Sequence, residues 1–153
     1  MRDLATVGAA VIALFVFLFN SVSTLRDRRI ENLVRYFDVH RHLFEREGFI
    51  LSNLAQLEAG TLVRADFDDA QERKLHSMLV EVDRLAVLAN NRAVPNSTQI
   101  YTFGWYAGRL LPVLTKERGD AFWDLALSYL QRLAALAKEY EATSPGKRHP
   151  FHR

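Results

Sequence analysis

The five histidines are the residues best able to hold a metal ion or move protons, and their spacing is the first test of that chemistry. His40 and His42 are two apart, which on a helix turns them ~200° from each other and keeps them off a common ion. His42 with Glu45, and Glu72 with His76, have the i,i+3 and i,i+4 spacing that shares one helix face. A carboxylate-bridged di-metal bundle needs two Glu-x-x-His pairs and two further inward glutamates, and no Glu-x-x-His occurs in the chain. Both pairs are therefore expected to be surface contacts. His149 and His152 fall in ATSPGKRHPFHR, where two prolines, a glycine and the loss of periodicity predict a disordered basic tail over 141–153. No metal site is expected.

Nucleophilic and phosphate chemistry fare no better. Ser52, Ser77 and Ser128 sit inside helical patterns, with no G-x-S-x-G elbow around any of them. Neither a P-loop nor a G-x-G-x-x-G occurs. The chain has no cysteine, which removes thiol nucleophiles, thiolate zinc sites and disulfides. No catalytic residue and no cofactor is expected. One polar pair merits attention. Asp83 borders the apolar stripe of its helix, and a buried carboxylate needs a partner, for which Arg109 or a tyrosine hydroxyl is the candidate. Asp83 is then a structural ion-pair or rim residue, or else, with Arg109, a catalytic or ligand-binding group in a pocket between the third and fourth predicted helices. The aromatic segment with Tyr101, Trp105 and Tyr106, together with Trp123 and Tyr129, serves core packing or lines a pocket.

The elements that would position these residues are helical throughout. Glycine (7) and proline (4) are scarce, which suits helices better than strands and turns. Ile30, Leu33, Phe37, His40 and Phe44 follow 3-4 spacing and predict one buried stripe, with Val34 beside it. Phe49 to Leu57 predicts a short helix stopped by Gly60. Asp66 or Asp68 caps the next helix, whose stripe runs Leu75, Met78, Leu79, Val82, Leu85, Ala86 and Ala89. After the loop VPNS, with Asn96 or Ser97 as cap, TQIYTFGWYAGRLL predicts a fourth helix ended by Pro112. Its Gly104 and Gly108 suggest close helix packing. Thr115–Gly119 reads as a polar connection. Asp120 opens the last helix, with Phe122, Ala126, Tyr129, Leu130, Leu133, Ala137 and Tyr140 inward.

The N-terminus is different in kind. From Leu4 to Leu25 there is no charge over 22 residues, a helix of roughly 33 Å against the ~30 Å of a bilayer core. A globular core helix keeps a polar face, and this one has none. Ser21-Val22-Ser23 offers small residues to a signal peptidase, so release after Ser23 as a secreted domain is the rival reading. Against it, Arg2 is offset by Asp3, whereas Arg26, Arg28 and Arg29 come directly after the run and hold that flank inside. They are the expected topology determinants. Asp27 and Glu31 interrupt them, which argues against a dedicated lipid patch. Ala5, Ala9 and Ala13 recur every fourth residue, a small-residue face on which two spans could pack.

The fold expected is all-α: a transmembrane anchor over 1–25, a cytoplasmic four- to five-helix bundle over 26–140, and the tail. In order and texture the span with RDRRIENLVRYFDVHRHLF, then LVEVDRLAVLANN and YTFGWYAGRLL, resembles an uncharacterised family of short bacterial and phage proteins with one N-terminal span and a cytoplasmic helical domain. That resemblance implies a bacterial inner-membrane setting and transfers no site. Net charge is only +2 and no dense basic-aromatic interleaving occurs, so nucleic acid is not an expected partner. The sequence thus predicts a non-enzymatic protein, N-terminus out, that meets the bilayer and another protein, a second copy of itself among the candidates. A tethered ligand-sensing domain or enzyme is the competing class.

Overall fold

The structure, a computed structural model, describes the backbone of residues 2–143 and the side chains of residues 16–143. The tail 144–153 and the side chains of Ala5, Ala9 and Ala13 lie outside the described residues. Helices alone make up the regular structure of the described residues. Helix α1 runs Arg2–Leu43 without a break, as the lack of proline and glycine between Gly8 and Gly48 predicts, and is about 63 Å long at 1.5 Å per residue. Two short helices come next, α2 Phe49–Ser52 and α3 Leu54–Ala59. Gly60 ends α3 with φ +68°, a left-handed position where a side chain would be strained.

Helix α4 spans Asp69–Asn90. Asp68 accepts from the Gln71 backbone while the Gln71 side chain returns to the Asp68 N–H, a capping box. All seven residues of the predicted α4 stripe are buried. Asn96 and Ser97 do not cap the next helix: Pro95 holds the cap position, and α5, Asn96–Gln99, starts after it. Proline suits a helix start, because the N–H it lacks would be unpaired there anyway. The chain then continues through a π-helical stretch, Ile100–Gly104, into α6, Trp105–Leu110. Pro112 lies just past the end of α6, as expected.

The last helix, α7, begins at Asp124, not Asp120, and reaches Ala142. Asp120 instead accepts the Phe122 N–H at 2.9 Å, a local turn that competes with helix. It turns Phe122 outward, 69% exposed, and Trp123 inward.

Helix α1 meets the bundle on a face rotated from the predicted one and overlapping it at Leu33, His40 and Phe44. Tyr36 and Leu43 are fully buried, and Leu33, His40 and Phe44 are half-buried, while Ile30, Val34 and Phe37 are exposed. Both faces satisfy helical spacing. Burial of the Tyr36 face is tolerated because its hydroxyl has a partner there, the Thr102 hydroxyl 2.8 Å away, whereas a buried hydroxyl without one costs about 1–3 kcal/mol. Helices α1 and α4 pack closely and run antiparallel. His42 and Gly48 share a concavity with Lys74 and Ser77, Val39 one with Val87, and Asn32 one with Asn91.

Candidate functional site

The polar residues gather in four places, and each allows a different chemistry. The first is the root of α1. From Val16 to Glu31 every side chain except Ser21 is exposed, and among them Phe17, Phe19, Val22 and Leu25 are 62–75% exposed. No other part of the described chain covers this apolar surface. Where the apolar run ends, Arg26, Arg28 and Arg29 share a concavity of about 490 Å³ with Asn91, Arg92 and Ala93 of the α4–α5 loop. Among the described residues no helix is long and apolar enough to cross a membrane. The predicted run Leu4–Leu25 begins ahead of the described side chains.

The second is a cleft of about 590 Å³ between α3, α6 and α7. Gly60, Trp105, Gly108, Arg109, Lys138 and Glu141 are among its lining residues. The Arg109 guanidinium lies over the Trp105 ring at 5.3 Å, a cation–π contact. Asp83 does not reach this cleft, so the expected Asp83–Arg109 cluster is not formed. Asp83 faces the first turn of α7 instead. Burial raises its pKa, and the Ala126 N–H partly offsets that, while its Oδ1 has no hydrogen-bond partner. Asp83 thus stands near the positive end of the α7 dipole, where α7's own cap residue, Trp123, offers no side-chain cap.

Of the third cluster the sequence reading singled out only Glu72. Arg64, in a 3₁₀ turn spanning Arg64–Asp66, donates through Nε to Glu72 Oε1 at 2.8 Å and through Nη2 to Glu117 Oε1 at 2.7 Å. Its Nη2 also reaches Glu72 Oε2 at 2.5 Å. The Arg64 and Glu117 side chains are only 8% and 4% exposed. Burial works to raise the Glu72 pKa, but the Arg64 hydrogen bonds and charge, helped by Lys116, leave it lowered. A carboxylate held ionised by a guanidinium is a poor general acid or base at neutral pH, so this cluster is a structural clamp. The predicted Glu72–His76 pairing gives way to it: His76 stacks on Trp123 and comes within 3.6 Å of Glu117. The other predicted pair, His42–Glu45, is present at 2.8 Å. Among the described residues no three His, Asp or Glu side chains are grouped to hold a metal ion.

The fourth lies where α1 crosses the π-helical stretch. The His40 Nε2 is 3.2 Å from the Thr102 carbonyl, and its ring stacks on Phe44. Tyr129 comes from α7 with a buried hydroxyl beside that of Tyr36, and burial followed by the Tyr36 neighbour raises its pKa. Burial also lowers the His40 pKa below its ordinary 6.5, outweighing the Thr102 carbonyl that favours the charged ring. As pH falls through 6.5 the unfolded chain therefore takes up the proton first, and stability is lost until the folded ring itself protonates. The full chain in detergent should melt at a lower temperature near pH 5.5 than near pH 7.5. His40→Phe keeps the ring packing and should flatten that slope; an unchanged slope would show that the ring does not contribute.

No protein-family model, no curated protein and no solved structure matches this chain.

Proposed function

We propose that the chain is a single-span, membrane-anchored helical module that acts by contact with another protein, a second copy of itself, and not by a reaction. The observation behind this reading is the uncovered apolar surface of α1. Its first part exposes Val16, Phe17, Leu18, Phe19, Val22 and Leu25, an apolar surface that suits lipid better than water. Joined to the uncharged run from Leu4, it is the length of a bilayer core. Arg26, Arg28 and Arg29 then place the bundle on the cytoplasmic side and the N-terminus outside.

Beyond the anchor, Ile30, Val34 and Phe37 are 52%, 55% and 47% exposed, on the side of α1 turned away from α4. Stepping back from Phe37 by alternating threes and fours gives Val34, Ile30, Asp27, Ser23, Asn20, Val16, Ala13 and Ala9. That is the seam of a left-handed helix pair. Its alanines are two of the predicted span-packing face, and Asn20 and Ser23 supply the polar contacts that join helices in lipid. Asp27, its charged position, falls where the helix leaves the apolar run and water reaches it.

The absence of cysteine makes the test clean. Single cysteines placed along residues 29–38 of the full chain, oxidised in native membranes, should cross-link strongly at positions 30, 34 and 37 and weakly at 31, 35 and 38. A flat profile, or one peaking elsewhere, would sink the paired arrangement. Recovery of the protein in the soluble fraction, with its N-terminus intact, would sink the anchor.

The α3–α6–α7 cleft supports a second reading, a tethered ligand-sensing domain. Its Arg109–Trp105 pair and Lys138 suit a small anionic or aromatic molecule.

A further inference from the structure

We propose that Arg26, Arg28, Arg29 and Arg92 form a binding site for the phosphate of an anionic lipid headgroup, at the point where α1 enters the bilayer. The inference rests on the anchor reading above and adds a ligand to it. Its basis is the concavity of about 490 Å³ that these four arginines share, with Val22 and Leu25 on its apolar side and Asn32 and Asn91 as further hydrogen-bonding groups. In sequence the first three arginines alternate with Asp27 and are followed by Glu31. Neither carboxylate lines the concavity, and Glu31 is engaged by Arg35 at 2.5 Å. Among the described residues no ion pair links any of the four arginines to a carboxylate. Positive charge on the wall of one concavity, with no carboxylate among its lining residues, calls for an anion.

The fourth arginine is the telling one. Helix α4 ends in a Schellman motif, with Ala93 N–H bonded to Leu88 O at 3.1 Å and Arg92 N–H to Ala89 O at 2.9 Å. The left-handed residue of that motif is ordinarily glycine. Here it is Arg92, with φ 52°, the one non-glycine residue of positive φ among the described residues. A side chain in that conformation carries a local penalty. Folding does not require arginine there, but the penalty brings its charge into the arginine-lined concavity. Because α4 runs antiparallel to α1, this loop is the part of the bundle nearest the membrane. Guanidinium groups suit phosphate oxygens through paired N–H donors, and the apolar side of the site leads into the anchor, where an acyl chain would lie. That continuity favours a lipid over a free anion.

The full chain, purified in a mild non-ionic detergent with a fluorophore on Asn90→Cys, next to the site but outside its lining, would be titrated with short-chain phosphatidylglycerol, phosphatidylcholine and inorganic phosphate. The fluorophore should respond to phosphatidylglycerol at least tenfold more tightly than to either other probe. Each arginine near a charged surface adds ~1 kcal/mol, so Arg92→Gln and Arg26→Gln should each weaken that response by about fivefold. Arg92→Gly is the sharper variant: it should weaken binding equally while leaving the fold as stable or more so, since glycine suits the left-handed position. Arg73→Gln, near the far end of α4, should change nothing. Equal affinity for phosphatidylcholine would overturn the site while leaving the anchor standing. Equal affinity for inorganic phosphate would make it a free-anion site and overturn the lipid assignment. An unchanged response in Arg92→Gly would reduce it to the charge of the linear sequence and refute the built site. Failure of the anchor reading shows separately, as a chain absent from the membrane fraction.

Discussion

Replacing Glu117 with alanine is expected to lower the unfolding free energy of the bundle by about 3–5 kcal/mol, the usual cost of removing one partner from a buried ion pair. The cost arises because the Arg64 guanidinium stays behind, with its side chain 8% exposed, and cannot reach water. Glu72 remains bonded to it but is itself 26% exposed and already engaged. Glu72→Ala should therefore cost less than Glu117→Ala, since water can replace the more exposed carboxylate. The double variant Arg64→Met with Glu117→Leu should recover much of the loss, because it removes both charges and their desolvation cost together. Urea unfolding of the full chain in detergent, followed by tryptophan fluorescence, reads this directly, as Trp123 stacks on His76 beside the cluster. A Glu117→Ala protein within about 1 kcal/mol of the parent would show that the clamp contributes nothing.

The second large effect is expected at Gly104, where the π-helical stretch crosses α7. A Cβ built there would lie 2.9 Å from the Ala137 Cβ, with the Ala137 backbone at 3.8 Å. Ala137 has no side chain beyond its Cβ to swing aside, so α7 itself must move. Overpacking of this kind costs about 1–3 kcal/mol and sometimes more. Gly104→Leu should therefore destabilise the bundle by at least that much, and Gly104→Ala by less. Gly108→Leu makes the natural control. A Cβ at Gly108 meets nothing within 4 Å, and leaving glycine for leucine in a helix gains up to about 1 kcal/mol. Two glycines of one GxxxG thus have opposite expected outcomes, measurable by thermal unfolding of each variant. Equal effects at the two positions would mean that α6 and α7 do not meet as closely as described.

That contrast shows how far sequence reading reaches. GxxxG pointed to close helix packing, and the packing is there, but only at its first glycine. Both glycines border the α3–α6–α7 cleft, but only Gly104 lies against Ala137 of α7. Spacing alone cannot tell which side of a short helix receives a neighbour. The same holds for α1, where two stripes, one through Ile30 and Phe37 and one through Tyr36 and Leu43, are both helical in period. The bundle buries the second, and Thr102, 66 residues away, gives the Tyr36 hydroxyl the partner that burial requires. The exposed stripe left over is now the basis for proposing a paired α1.

By itself the sequence determined the helical class, the seven-residue core stripe of α4, a cap at Asp66 or Asp68, the Gly60 stop and the unbroken course of α1. Each depends on neighbours within a turn or two of helix, so local chemistry suffices. Only the tertiary structure decided which face of α1 goes inward, and that Asp83 and Arg109 lie apart. It alone joined Arg64 to Glu117 across 53 residues and brought Arg92 beside Arg26 and Arg29. Those residues come from turns, connections and helix ends, which have no period to read. Their partners are chosen by how whole helices pack, and that is settled over the entire core at once.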